Sequence, residues 1–204
     1  MTTSIRLRSV APVAVAFVLA ACAGTQPPAP APKPAPAPAP APAAVAPAAM
    51  TAAKYYFVVL PEDGRMYAFG DVANYFQFLE HKEVALTRTR IGGSPMGSTL
   101  VFGITNDDVK SGKPSVAEQV FDAKLPPADD FYGEVFKNGR YYVFSDLKVM
   151  KEFIGSGEVP YSFTDIGAGP GGATLVWVVD SAGFKKGRPQ VTIDRFAALR
   201  KDKK

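Results

Sequence analysis

The chain has 204 residues, 47% hydrophobic and 21% charged, with one cysteine, one histidine and a formal net charge of +4. A single cysteine excludes a disulfide framework and any multi-thiolate metal centre, and a single histidine excludes an imidazole cluster. The positive balance gives no case for nucleic acid, because setting aside Arg6, Arg8 and Lys33 leaves 20 basic residues against 19 acidic ones.

Arg6 and Arg8 precede an apolar run over residues 10–21 that is too short to span a bilayer, the layout of a cleaved export signal. The run closes on Leu19-Ala20-Ala21-Cys22, with small residues leading into the chain's cysteine. This stretch resembles the type II signal peptide of bacterial lipoproteins, whose lipobox ends in a cysteine acylated on sulfur. The resemblance implies removal of residues 1–21, a lipidated, palmitate-bearing Cys22, and a domain held in the cell envelope by its membrane anchor. Two or more acyl chains hold a protein durably. In Gram-negative members Asp after the cysteine marks inner-membrane retention; Ala23 stands here, which implies the outer membrane, facing the periplasm.

Residues 22–50 form the acylated start and a linker, nearly pure Ala and Pro over residues 26–49. Proline fixes φ and removes donors, so this segment builds no core and reads as a polyproline II spacer of about 75 Å at roughly 3.1 Å per residue.

The remainder carries an internal repeat: residues 55–125 align with 131–200 at an offset of 75 or 76, giving units over 51–130 and 131–204. Gly64-Arg65-Met66-Tyr67-Ala68-Phe69-Gly70-Asp71 answers Gly139-Arg140-Tyr141-Tyr142-Val143-Phe144-Ser145-Asp146, and Ile91-Gly92 answers Ile166-Gly167. Within a unit, residues 55–60 and 65–70 predict a hairpin about a Pro/Gly turn, with Asn138-Gly139 as the second unit's turn. Asp71 and Asp146 stand as N-caps, followed by the helical stripes Val72, Tyr75, Phe76, Leu79 and Leu147, Met150, Ile154. A third strand is expected over 84–91, a Gly/Pro turn over 92–97 and a fourth strand over 98–104. Ser115-x-x-Glu118 then reads as a capping box opening a helix to about residue 124, with a weaker counterpart over 193–200. The expected fold is α+β: two tandem ββαββα repeats with a mainly antiparallel sheet, packed as one pseudo-twofold body. Whether the two sheets merge or stack stays open.

Candidate chemistry is sparse. His81 falls at the end of the first helix, with Ser156 as its counterpart, so no catalytic triad assembles. Asp107-Asp108 and Asp129-Asp130 read as solvated loop acids without calcium-loop spacing. The glycines of the two turns, Gly92, Gly97, Gly167 and Gly172, supply positive φ; no Lys-Ser or Lys-Thr follows them, as a phosphate loop requires. Arg65, Tyr67, Arg140 and Tyr142 recur on one strand face, with the recurring Glu83 and Glu158 as expected polar partners, structural or ligand-binding. Arg88 and Arg90 look like a solvent face, and residues 185–204, with eight basic against two acidic side chains, like a solvated terminus. Neither a metal nor a cofactor is expected. The functional expectation is a non-catalytic envelope lipoprotein tethering a duplicated binding module, foremost for protein partners, with peptidoglycan or another glycan as second reading and an unrecognised enzyme as third.

Overall fold

A computed structural model describes residues 52–201; the expected export signal, Cys22 as the expected acylation site, the Ala/Pro-rich stretch and the last three residues lie outside the described residues. The chain opens with β1 (Ala53–Leu60) and β2 (Met66–Phe69), then α1 (Val72–His81), β3 (Thr87–Arg90), β4 (Leu100–Gly103), α2 (Asn106–Ser111) and α3 (Val116–Phe121). It continues through β5 (Pro127–Lys137), β6 (Arg140–Phe144), α4 (Leu147–Ser156), β7 (Tyr161–Asp165), β8 (Thr174–Val179), α5 (Ser181–Lys186) and α6 (Gln190–Lys201). All eight strands join one sheet in the order β3-β4-β2-β1-β5-β6-β8-β7, so the sheet material merges instead of stacking.

The fold is α+β, and its sheet is mixed, which corrects the expected antiparallel bias. The hairpins β1–β2 and β5–β6 and the edge pairs β3–β4 and β7–β8 are antiparallel. Helices α1 and α4, however, lead to the edge strands β3 and β7, which carry the chain back, so that β4 runs parallel to β2 and β8 parallel to β6, and β1 runs parallel to β5 at the centre. A parallel neighbour needs a long connection of this kind, here a helix and an edge strand.

Because helices cover both faces, the central strands are apolar on both sides and read as continuous hydrophobic runs. Tyr56, Val58, Ala68, Phe102 and Phe144 pack with Ala117 and Val120 of α3 and Met150 and Phe153 of α4. On the other face Phe57, Phe69, Val143 and Trp177 pack with Tyr75 and Phe78 of α1 and Phe196 of α6.

Helix starts follow the capping chemistry of the sequence. Asp71 accepts from the Asn74 N–H at 2.9 Å, and Asp146 from the N–H groups of Lys148 and Val149 at 2.6 and 3.1 Å. Ser115 and Glu118 form the reciprocal box that opens α3. A second box, Thr105 with Asp108, opens α2, so Asp107 and Asp108 are first-turn acids of a helix and not loop residues. The six-residue α2 buries no side chain and rests on its caps, whereas the equally short α5 is also held through Phe184. Asp129 and Asp130 lie within β5, where Asp130 meets Lys54 at 3.1 Å and also Arg195. The C-terminal segment to Lys201 is helix α6: Phe196 is buried and Ile193 and Leu199 are partly buried, and this apolar stripe overrides the repulsion of its basic residues.

Candidate functional site

The strand residues singled out by the repeat do not converge. Tyr67 tilts over Phe78 at 4.3 Å between ring centroids, and Tyr142 over Phe153 at 4.4 Å, so both tyrosines cover helices. Arg65 lies at the surface beside Asp63, with Nε to carboxylate 4.0 Å, and Arg140 is exposed. Glu83 and Glu158 are exposed on the helix-to-strand connections, and no hydrogen bond or ion pair links them to those arginines and tyrosines among the described residues. The glycines do what their turns demand: Gly92, Gly97, Gly167 and Gly172 have φ of 68°, 74°, 70° and 77°.

The densest polar cluster lies elsewhere, inside the face covered by α1 and α6. Glu134, on the central strand β5, is fully buried. Its Oε1 accepts from Tyr132 Oη at 2.5 Å and Arg200 Nη1 at 2.9 Å; its Oε2 accepts from Tyr75 Oη at 2.7 Å and Arg200 Nη2 at 2.8 Å. The Arg200 guanidinium also lies 3.4 Å from the Phe196 ring centroid and 5.0 Å from that of Tyr141. Burial first, and then the adjacent carboxylate, pushes the hydroxyls of Tyr75 and Tyr132 well above the ordinary tyrosine range. Burial opposes the charge on Arg200, but the Glu134 carboxylate outweighs it and holds the guanidinium protonated. With four charge-assisted or hydroxyl donors on two oxygens, the Glu134 carboxylate has its hydrogen-bond acceptor sites filled from three elements, so the cluster acts as a clamp joining α1, β5 and α6.

Sequence reasoning missed this cluster, yet a signal existed. The offset that aligns the two units pairs Glu134 with Val58 and Arg200 with Leu125, so opposite charges appear together where the first unit has two apolar side chains.

The two edges of the sheet differ in character. On β3, Arg88 donates to Glu118 at 2.8 Å and to the carbonyls of Lys113 and Asp108. Arg90 holds Asp122 with two bonds at 2.6 and 3.2 Å and lies 4.9 Å over the Phe102 ring. These arginines are therefore pinned to α3 and are not a free solvent face, because Glu118 and Asp122 supply the counter-charges. The Arg90 hydrogen bond holds the Asp122 carboxyl below its usual range.

On β7 the aligned positions hold Phe163 and Asp165 in place of the two arginines. Phe163 stacks on Phe184 of α5 at 5.0 Å, and Tyr161 tilts onto the same ring at 5.3 Å. Tyr161 and Phe184 remain 41% and 42% exposed, a large residual apolar surface for an edge. Asp165 ends the strand, accepting from Trp177 Nε1 at 2.7 Å and from Arg188, which lowers its carboxyl pKa.

Two grooves of about 540 Å³ flank the first turns of α1 and α4, one holding Asp71, Val72 and Phe76, the other Asp146, Leu147 and Phe131. Among the described residues no group of three or more His, Cys, Asp or Glu side chains is placed to hold a metal ion, and no helix is long and apolar enough to cross a membrane. Comparison with protein-family models, with curated proteins and with solved structures finds no match for the chain.

Proposed function

We propose that the chain is an envelope lipoprotein, acylated at Cys22, tethered to the outer membrane through its Ala/Pro segment, whose folded body binds a protein partner in the periplasm and has no catalytic role. We further propose that the body consists of two tandem ββαββα units, each extended by one short helix, about a pseudo-twofold axis along the strands. Such an axis exchanges the sheet faces, and aligned residues do sit on opposite faces: Phe69 and Phe144, Tyr75 and Met150, Phe78 and Phe153, Phe102 and Trp177.

The observation that carries the binding reading is the contrast between the edges. An exposed edge strand invites pairing, and proteins guard against it with charges. The β3 edge has Arg88 and Arg90, whereas the β7 edge offers Tyr161, Phe163 and Phe184 with Thr164 exposed beside them. An extended partner segment adding to β7 would take main-chain hydrogen bonds from the strand and side-chain specificity from the aromatics. The same stacked aromatics favour, as second reading, a wall glycan, since sugars pack on aromatic faces.

A photo-crosslinking residue at Thr164 in living cells tests both readings. A discrete protein adduct that disappears with Tyr161→Lys is the expected result. An absent adduct, together with co-sedimentation of the protein with purified sacculi that Tyr161→Lys abolishes, would replace the protein reading with the glycan one.

A further inference from the structure

The most exposed large apolar side chains among the described residues are Ile91 and Ile166, at 91% and 88%. They stand 75 positions apart, each directly after an edge strand and before a glycine of φ 68° or 70°. A polar residue would serve either turn, so two bare isoleucines at aligned positions are not explained by folding. The turns are braced: the Ser94 and Ser98 hydroxyls meet at 2.7 Å, the Gly93 N–H returns to the Arg90 carbonyl, and the Gly169 N–H bonds the Ala173 carbonyl at 2.8 Å. Met96, 57% exposed, adds a third apolar side chain to the first turn.

Strand directions put these residues at one end. β3 and β7 both run parallel to β1 and β5, so Ile91 and Ile166 lie at the end where β1 finishes, away from Ala53 where the chain enters the sheet. Seven interstrand steps of about 4.8 Å separate the two edges, about 34 Å along the sheet.

We propose that Ile91 and Ile166 are prongs that seat this end of the domain on the phospholipid bilayer to which the chain is anchored. The proposal rests on the lipid-anchor reading. Three features favour lipid over a protein partner. The prongs are convex and far apart, whereas the core of a protein interface is a contiguous, well-packed patch; a fluid apolar interior accepts isolated protrusions at any spacing. The Ala/Pro stretch over residues 26–49 is long enough to reach about 75 Å at roughly 3.1 Å per residue, and β1, of eight residues, is about 26 Å long, so the tether is long enough to allow the far end of the sheet to meet the membrane that holds it. Finally, two single side chains bind a bilayer too weakly to act alone, and a tether supplies the local concentration that makes weak insertion effective.

The test uses the full acylated chain in vesicles of phosphatidylethanolamine and phosphatidylglycerol. An environment-sensitive fluorophore is placed on Met96→Cys or Ala168→Cys, beside the prongs, or on Lys148→Cys, an exposed position at the opposite end. The expected result is flotation with the vesicles and quenching by nitroxide-labelled lipid at 96 and 168 but not at 148, with the quenching lost in Ile91→Ser/Ile166→Ser. Flotation with equal, low quenching at all three sites overturns the proposal and leaves the anchor intact. Blue-shifted emission at 96 and 168 without lipid quenching overturns it in favour of a protein contact. Failure to float overturns the anchor reading, and the proposal with it.

Discussion

Replacing Glu134 by valine leaves a buried guanidinium without its counter-charge, a loss of about 3–5 kcal/mol in stability for a broken buried pair. The double variant Glu134→Val/Arg200→Leu installs the side chains that the alignment places at Val58 and Leu125, and it should recover the part of that loss that comes from the unpaired charge. The remainder belongs to the Tyr75 and Tyr132 hydroxyls, which lose their acceptor at about 1–3 kcal/mol each. Adding Tyr75→Phe and Tyr132→Phe should then bring the urea midpoint close to that of the parent. If the double variant is as unstable as the single one, the cost lies in packing and not in charge. Alkaline pH tests the same residues differently. Burial raises the pKa of Tyr56, Tyr75, Tyr132 and Tyr141, so the folded state keeps protons at four sites that the unfolded chain releases near pH 10. Their contribution is complete below pH 10 and is lost as pH rises, with a slope of at most about 5 kcal/mol per pH unit. Urea midpoints at pH 9 and 11 measure this, and Tyr56→Phe should remove at least roughly a quarter of the slope.

At the scale of the element, the first helices of the two halves end alike but with unlike residues. Gly157 caps α4 at φ 76°, and Lys82 caps α1 at φ 61°. A left-handed residue with a side chain costs about 1–2 kcal/mol, partly offset by the 0.5–1 kcal/mol of extra chain entropy that glycine loses. Lys82→Gly should therefore stabilise by roughly 0.5–1 kcal/mol, and Gly157→Lys should destabilise by a similar amount, both read from urea midpoints. The exposed bond from Lys82 Nζ to the Leu79 carbonyl, at 3.0 Å, is too weakly held to reverse the sign. Elements of this kind were legible beforehand because their signals are local: Asp71 and Asp146 cap where a short carboxylate before an apolar stripe should cap. Helices α2 and α5 were not, although Thr105 and Asp108 spell out a box like the one that announces the equally short α3, because six residues show no periodicity to support such a cap. Long-range partners stayed hidden for a different reason. Nothing in β3 announces that Arg88 and Arg90 meet Glu118 and Asp122, some 30 residues on, since register and crossover decide which acids face them. Glu134 looked like a strand residue among apolar neighbours, and only its pairing with Arg200, 66 positions away, makes its burial tolerable.

For the whole molecule the central question is whether the two halves behave as one. A unit of about 75 residues buries a modest share of its surface and is marginal alone. The parallel seam of β1 and β5, matched from Tyr55 with Tyr132 to Leu60 with Lys137, puts the central strand of each half against the other. The clamp crosses the same boundary, since Tyr75 of α1 donates to Glu134 of β5, which α6 holds through Arg200. Native-state hydrogen exchange should accordingly give one opening free energy, with one urea dependence, for the slowest amides of β1 and β4 and of β6 and β8. A lower value for either pair of strands would mean that the seam does not couple the halves. Glu134→Val sharpens the comparison, because a clamp confined to the second half would lower protection there alone. A clamp that spans the seam lowers it equally in β4 and β8, strands lying on opposite sides of the central pair and touched by neither Glu134 nor Arg200 through any hydrogen bond among the described residues. Equal loss at both strands is the expected outcome, since an element that shares a cooperative unit loses stability wherever in that unit the defect is made.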